Sequence, residues 1–191
     1  MGPDGLVGQL RLVAATNEQP PGAVALTVVG RRGGEAAVEQ LDGRLELAWK
    51  AIGRREHTVA QLRTYLEGKR AGPEAIEVAV AELTEAGVLD DAGYARRFAG
   101  DKRALDRWGS ERIERELHRR GVAPDLVEAA LAVQDRDGEL EAAVDLLGTR
   151  FPVPPEDDRE RDRAWRLLVR RGYEPELAYE AVRTHTRRAL A

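Results

Sequence analysis

Cysteine is absent from the 191 residues. That excludes disulfides, thiolate nucleophiles and Cys-ligated metals together, and it fits a reducing compartment. Serine occurs once, as Ser110, and Gly109-Ser110-Glu111 lacks the second glycine of a nucleophile elbow. The three histidines, His57, His118 and His185, are far apart and none has another at helical spacing, so no zinc pattern forms. Gly30, Gly33 and Gly34 match neither the dinucleotide fingerprint nor a phosphate-binding loop. Aromatics are only 5% of the chain, so the core must be built mainly from Leu, Val, Ile and Ala. No run of about 18 apolar residues occurs, and Met1-Gly-Pro-Asp-Gly-Leu6 has no basic region followed by an apolar one. The expectation is a cytoplasmic, non-enzymatic protein with no catalytic residue, metal or cofactor and no membrane span.

Lysine is scarce too, appearing only at Lys50, Lys69 and Lys102. Arginine carries the remaining positive charge, and the abundance of Ala, Gly and Arg is the composition a GC-rich genome gives. The formal net charge of -4 excludes attachment to nucleic acid by bulk positive charge, so any DNA contact must come from a local patch. What the chain does have is 42% hydrophobic and 34% charged residues, a balance suited to short amphipathic helices with one buried stripe.

Those helices repeat. Pro73, Pro124 and Pro175 fall 51 residues apart, with Leu66, Leu117 and Leu168 seven residues before them and Val80, Leu131 and Val182 seven after. Seven residues is nearly two helical turns, which makes these core positions on paired helices. Glu74, Asp125 or Glu176 follows each proline, and a proline with an acid beside it starts a helix. Gly121 and Gly172 stand where the preceding helix would end in a left-handed residue. Repeat one has Arg70 at that position and Gly72 two residues later, so its turn is expected to differ.

A further helical stretch precedes each pair: Leu45 to Arg54, Asp90 to Leu105 and Gly138 to Arg150. Thr58-Val-Ala-Gln61 reads as a capping box, while Ser110 and Asp90 read as N-caps. The acidic pairs Asp90-Asp91 and Asp157-Asp158 fall at helix starts and read as caps rather than magnesium ligands. The expected fold is all-α, with three tandem three-helix repeats at 44–87, 88–137 and 138–191. Each is too small to bury its apolar face alone, so the units should stack into an elongated, curved array. Residues 1–43 form an N-terminal extension, either irregular or a β-hairpin of Leu10–Ala14 and Val24–Val29. Phe151 to Asp158 reads as a stiff connector.

Basic clusters are the remaining functional candidates: Arg96 with Arg97, Arg112 with Arg115, Arg119 with Arg120, and Arg166 with Arg170 and Arg171. Several end a helix, where positive charge complements the exposed carbonyls. Because Arg119-Arg120 and Arg170-Arg171 are equivalent in the repeat, stacking would present them periodically to an extended partner. Trp49 and Trp165 read as core residues, and Trp108, before the Gly109-Ser110 turn, as a surface anchor.

Val88-Leu-Asp-Asp-Ala-Gly-Tyr94-Ala-Arg-Arg-Phe98 and Arg107-Trp-Gly-Ser-Glu-Arg-Ile113-Glu-Arg-Glu-Leu117-His-Arg-Arg-Gly121-Val122 resemble the central signature of the RecX regulatory proteins, bacterial modulators of the RecA recombinase. Leu167-Leu-Val-Arg-Arg-Gly172-Tyr173, with the Glu-Leu-Ala-Tyr-Glu-Ala-Val182 that follows, resembles the family's closing repeat. The likeness spans residues 44 to 190. It implies a modular three-repeat helical protein that lies in the groove of the RecA–DNA filament, and the chain is expected to be a monomer. Bound there, it would inhibit RecA's ATP hydrolysis, strand exchange and coprotease activity, and so regulate recombination, DNA repair and the SOS response. The alternative is a helix-turn-helix protein binding DNA directly through local basic patches. Its recognition helix should be rich in polar base-reading side chains, whereas Pro124 to Leu131 and Pro175 to Val182 are acidic and apolar.

Overall fold

A computed structural model describes residues 46–51, 53 and 55–189 of the chain. The extension and its two expected strands lie outside the described residues. Within them every regular element is a helix: α1 (46–51), α2 (Val59–Gly68), α3 (Pro73–Glu85), α4 (Asp91–Asp106), α5 (Ser110–Arg119), α6 (Pro124–Leu131), α7 (Arg136–Arg150), α8 (Asp158–Arg171) and α9 (Pro175–Ala189). The three prolines open α3, α6 and α9, where a missing N–H costs nothing.

Side-chain caps set most of the other starts. Thr58 and Gln61 form the reciprocal capping box of α2, Asp90 accepts from the Gly93 amide, and Asp157 accepts from the Glu160 amide. Asp135 caps α7 in the same way and starts it two residues ahead of the expected Gly138. Ser110 departs from its expected role. The N-cap of α5 is Gly109, and Ser110 is the first helical residue, with its hydroxyl committed to Glu139 instead.

The helices form three units, α1–α3, α4–α6 and α7–α9, each around its own cluster of buried residues. Ala48, Leu62, Leu66, Ile76 and Leu83 centre the first; Tyr94, Ile113, Leu117 and Val127 the second; Leu147, Leu168, Tyr173, Leu177 and Ala181 the third. Leu66, Leu117 and Leu168, the repeat's marker leucines, are at most 1% exposed. Every helix pair that packs extensively lies within one unit. The units are therefore joined through narrower contacts, each keeping its own cluster of buried residues. Small residues account for this: Ala79, Ala95, Ala99, Ala130, Ala143, Ala164, Ala178 and Ala181 let three short helices approach closely enough to exclude water from a few Leu, Ile and Val side chains.

The turn after the second helix is the same in all three units, including the first. The amides of Arg70, Gly121 and Gly172 bond to the carbonyls of Glu67, His118 and Val169, and those of Ala71, Val122 and Tyr173 to Leu66, Leu117 and Leu168. This is a Schellman ending with its central residue left-handed. Gly121 and Gly172 adopt φ 75° and 89°, and Arg70 adopts φ 58°. The expectation of a different turn at Arg70 is thus corrected. The hydrogen bonds that close the turn outweigh a left-handed cost of roughly 1–2 kcal/mol for a residue with a Cβ.

The candidate functional site at the repeat junctions

The same joint connects both pairs of units. The N-terminus of the second helix in one unit abuts the Schellman turn of the second helix in the next. Between units one and two, the Thr58 hydroxyl donates to the Arg120 carbonyl at 2.6 Å. Between units two and three, the Gly109 amide donates to the Arg171 carbonyl at 2.9 Å and the Glu111 amide to the Gly172 carbonyl at 3.1 Å. A carboxylate from the first helix of the next unit then caps each N-terminus. Asp91 Oδ1 accepts from the Val59 amide at 2.9 Å, and Glu139 holds both the Ser110 amide and hydroxyl, at 2.7 and 2.9 Å. An anion there complements the unsatisfied amides and the positive end of the helix dipole. Burial pushes the Asp91 carboxyl above its usual range, against the opposing pull of the Val59 bond, and the neighbouring Asp90 adds to the rise.

Closeness makes glycine obligatory here for a second reason besides φ. A Cβ on Gly121 would stand 2.3 Å from Ala60 Cβ, and one on Gly172 would stand 2.2 Å from Arg112 Cβ. One on Gly109 would meet the Gly172 carbonyl carbon and oxygen and the Tyr173 nitrogen, each at 2.4 Å. That is why Gly109, rather than a serine, occupies the N-cap of α5.

The arginines singled out in the sequence divide by this geometry. Arg120, Arg171 and Arg112 are half-buried in or beside the joints. Arg120 binds Glu116 and the Tyr94 hydroxyl and lies over the Phe98 ring, 4.6 Å from its centroid. Arg171 crosses to the Asp106 carbonyl in the preceding unit. Arg112 reaches the Arg170 carbonyl and covers the Trp108 ring at 4.1 Å, while Lys102 lies 4.8 Å from that ring. Trp108 is therefore half-buried between two cations rather than bare, and Trp49 and Trp165 are half-buried against the first and third cores.

The remaining candidates are exposed. Arg97 pairs with Glu56 of the first unit at 2.9 Å, Arg166 with Asp162 at 2.7 Å, and Arg115 reaches Glu111 at 3.7 Å. Arg96 and Arg170 are exposed on α4 and in the last turn of α8. Arg119 forms a two-pronged pair with Glu116 at 2.7 and 2.9 Å. Bonds from Arg119 and Arg120 hold the Glu116 carboxyl down at about 2. Arg119 and Arg170 are repeat equivalents, and both present guanidinium groups at the surface.

Reading the sequence locally missed Asp91, Glu139, Gly109 and the second bond of Thr58. For Thr58 and Gly109 the signal available was repeat alignment, since Thr58 with Gly109 and Val59 with Ser110 fall in the register that relates Pro73 to Pro124; Asp91 and Glu139 fall outside that register and had no such signal. Among the described residues no group of three or more His, Asp or Glu side chains is placed to hold a metal, and no helix is long and apolar enough to cross a membrane.

Residues 90–131, which span the second unit and its turn, match the RecX second three-helix domain. The regulatory protein RecX of Deinococcus radiodurans is 35% identical over 145 residues, covering 76% of this chain and 69% of its own. That of Trichlorobacter lovleyi is 36% identical over 134 residues, covering 68% and 87%. The crystal structure of RecX from Lactobacillus salivarius superposes with a TM-score of 0.69 at 15% identity, over 77% of this chain and 97% of that one. A second RecX crystal structure gives 0.66 at 19% identity, over 78% and 75%. With its three helical units, their repeated joints and relatives of this closeness, the chain belongs to the RecX family of regulatory proteins.

Proposed function

We propose that this protein binds the RecA filament on DNA and inhibits RecA's ATP hydrolysis, strand exchange and coprotease activity, regulating recombination and repair. The observation that carries the reading is the repeated joint. Two joints in the same repeat position, one closed by the Thr58 hydroxyl on the Arg120 carbonyl and the other by backbone bonds from Gly109 and Glu111, link successive units at their Schellman turns, and Arg119 and Arg170 are exposed at equivalent places beside them. A helical filament offers its own subunits at a constant step, and linking several modest contacts on one body multiplies their effect. The working modules in this reading are 44–87, 88–137 and 138–191, carried by a monomer in the cytoplasm.

Exposed Arg96, Arg97, Arg115, Arg119, Arg166 and Arg170 are the side chains assigned to the partner. Arg112, Arg120, Arg171 and Trp108 support the surface from beneath. Direct reading of DNA by a third helix is disfavoured by exposed Asp125 and Glu128 on α6 and exposed Glu176 on α9, which would face phosphate with like charge. The test is RecA ATPase activity on single-stranded DNA with increasing amounts of the protein. Hydrolysis should fall, and unchanged hydrolysis at stoichiometric protein would overturn the reading.

A further inference from the structure

The groove between the second and third helices of a unit is filled in two of the three repeats. In unit one, Arg63 of α2 spans it to Glu77 of α3, with Nη2 2.7 Å from Oε2. In unit three, the equivalent position is Trp165 of α8, which packs against the core and donates from Nε1 to the Pro175 carbonyl at 3.0 Å. The middle unit has neither. Glu114 stands where Arg63 and Trp165 do, and Glu128 stands where Glu77 does. A concave groove remains, lined by the apolar Pro124, Val127, Leu131 and Ala132 together with Glu114, His118 and Glu128. Two carboxylates thus flank a site that elsewhere holds an arginine paired with a carboxylate.

We propose that this groove is a docking site for a protein partner, which inserts an arginine or lysine side chain between Glu114 and Glu128. The apolar side suits the methylene stem and the two acids suit the cationic head, a division of labour that long basic side chains use at surfaces. The Arg63–Glu77 pair shows the seated form within the same repeat. A bare metal ion fits less well, because no third carboxylate or imidazole completes a ligand set among the described residues. His118, one turn along α5, lies 3.8 Å from Glu114. Naming the partner as the filament protein rests on the function proposed above; the groove and its charge do not.

Two measurements on the full chain test this separately. The first titrates a short Leu- and Arg-containing peptide, and the same peptide with Glu replacing Arg, while amide shifts are followed by NMR. Val127, Glu128 and Leu131 should shift with the basic peptide alone. Glu114→Arg, which supplies the plug found in unit one, and Glu128→Arg should each abolish those shifts with the helical spectrum retained. No response at these amides in the wild type overturns the groove. The second measures binding to RecA filaments, where Glu114→Arg should raise Kd by about tenfold or more, as loss of a central charged anchor does. Wild-type binding that both variants retain overturns the groove as the filament contact. A wild type that takes the peptide but ignores filaments sinks the proposed function and leaves the groove standing.

Discussion

Gly172→Ala puts the joint between units two and three to a quantitative test. The residue sits at φ 89°, and an alanine in that left-handed conformation costs roughly 1–2 kcal/mol. The new Cβ would also lie 2.2 Å from Arg112 Cβ and 2.6 Å from Arg112 N. A backbone nitrogen in the first turn of α5 cannot swing aside as a long side chain could, so the joint must open. Opening it removes the Gly109-to-Arg171 and Glu111-to-Gly172 backbone bonds, each worth about 1 kcal/mol net. The expected loss is about 3–4 kcal/mol by urea unfolding followed by circular dichroism, with faster hydrogen exchange at the Gly109 and Glu111 amides. Arg70→Ala is the control, because that turn already carries a Cβ, and it should cost less than Gly172→Ala. A Gly172→Ala loss no larger than the conformational cost, with exchange at those two amides unchanged, would refute the joint's contribution.

Other outcomes follow from the same geometry. Arg70→Gly relieves the left-handed arginine and should stabilise the protein by about 1 kcal/mol, seen as a higher urea midpoint at an unchanged slope. Glu116 has a folded pKa of about 2, held below its ordinary 4.5 by Arg119 and Arg120. Its stabilising contribution is therefore fully present above pH 4.5 and lost as pH falls from there toward 2. Glu116→Gln should lower stability at neutral pH and flatten that acid limb in pH-dependent melting curves. Arg119→Glu combined with Arg170→Glu should weaken binding to RecA filaments while far-ultraviolet circular dichroism stays unchanged; loss of helix in that variant would make the two arginines structural.

The repeat itself was legible because its signals are local. Prolines at fixed spacing start helices, leucines two turns away face inward, and Thr58, Asp90 and Asp157 cap by bonding residues three positions on. The joints were not legible, because their partners lie far apart in the chain. Thr58 and Arg120 are 62 residues apart. Gly121 and Gly172 could be read as helix endings from one strand of sequence, but the need for a bare Cα against Ala60 and Arg112 appears only when two units meet. Ser110 shows the same limit: a serine before Glu111-Arg112-Ile113 is a sound local cap, yet the close approach of Tyr173 and Gly172 gives that place to Gly109. Arg70 erred in the other direction, since its sequence argued for a different turn while the hydrogen bonds imposed the common one. Among the arginines, residue type singled out the group, and only packing separates the half-buried Arg112, Arg120 and Arg171 from the exposed remainder.

The most direct measurement of the central claim is RecA's ATP hydrolysis on single-stranded DNA, titrated with the wild-type protein and with Gly172→Ala in parallel. If a chain of rigidly joined units restrains the filament, the wild type should suppress hydrolysis at stoichiometric amounts or below, and the opened joint should shift the curve to higher protein concentration. Hydrolysis unaffected by the wild type at stoichiometric amounts would contradict that claim outright, and equal inhibition by the two proteins would contradict the part assigned to the joint.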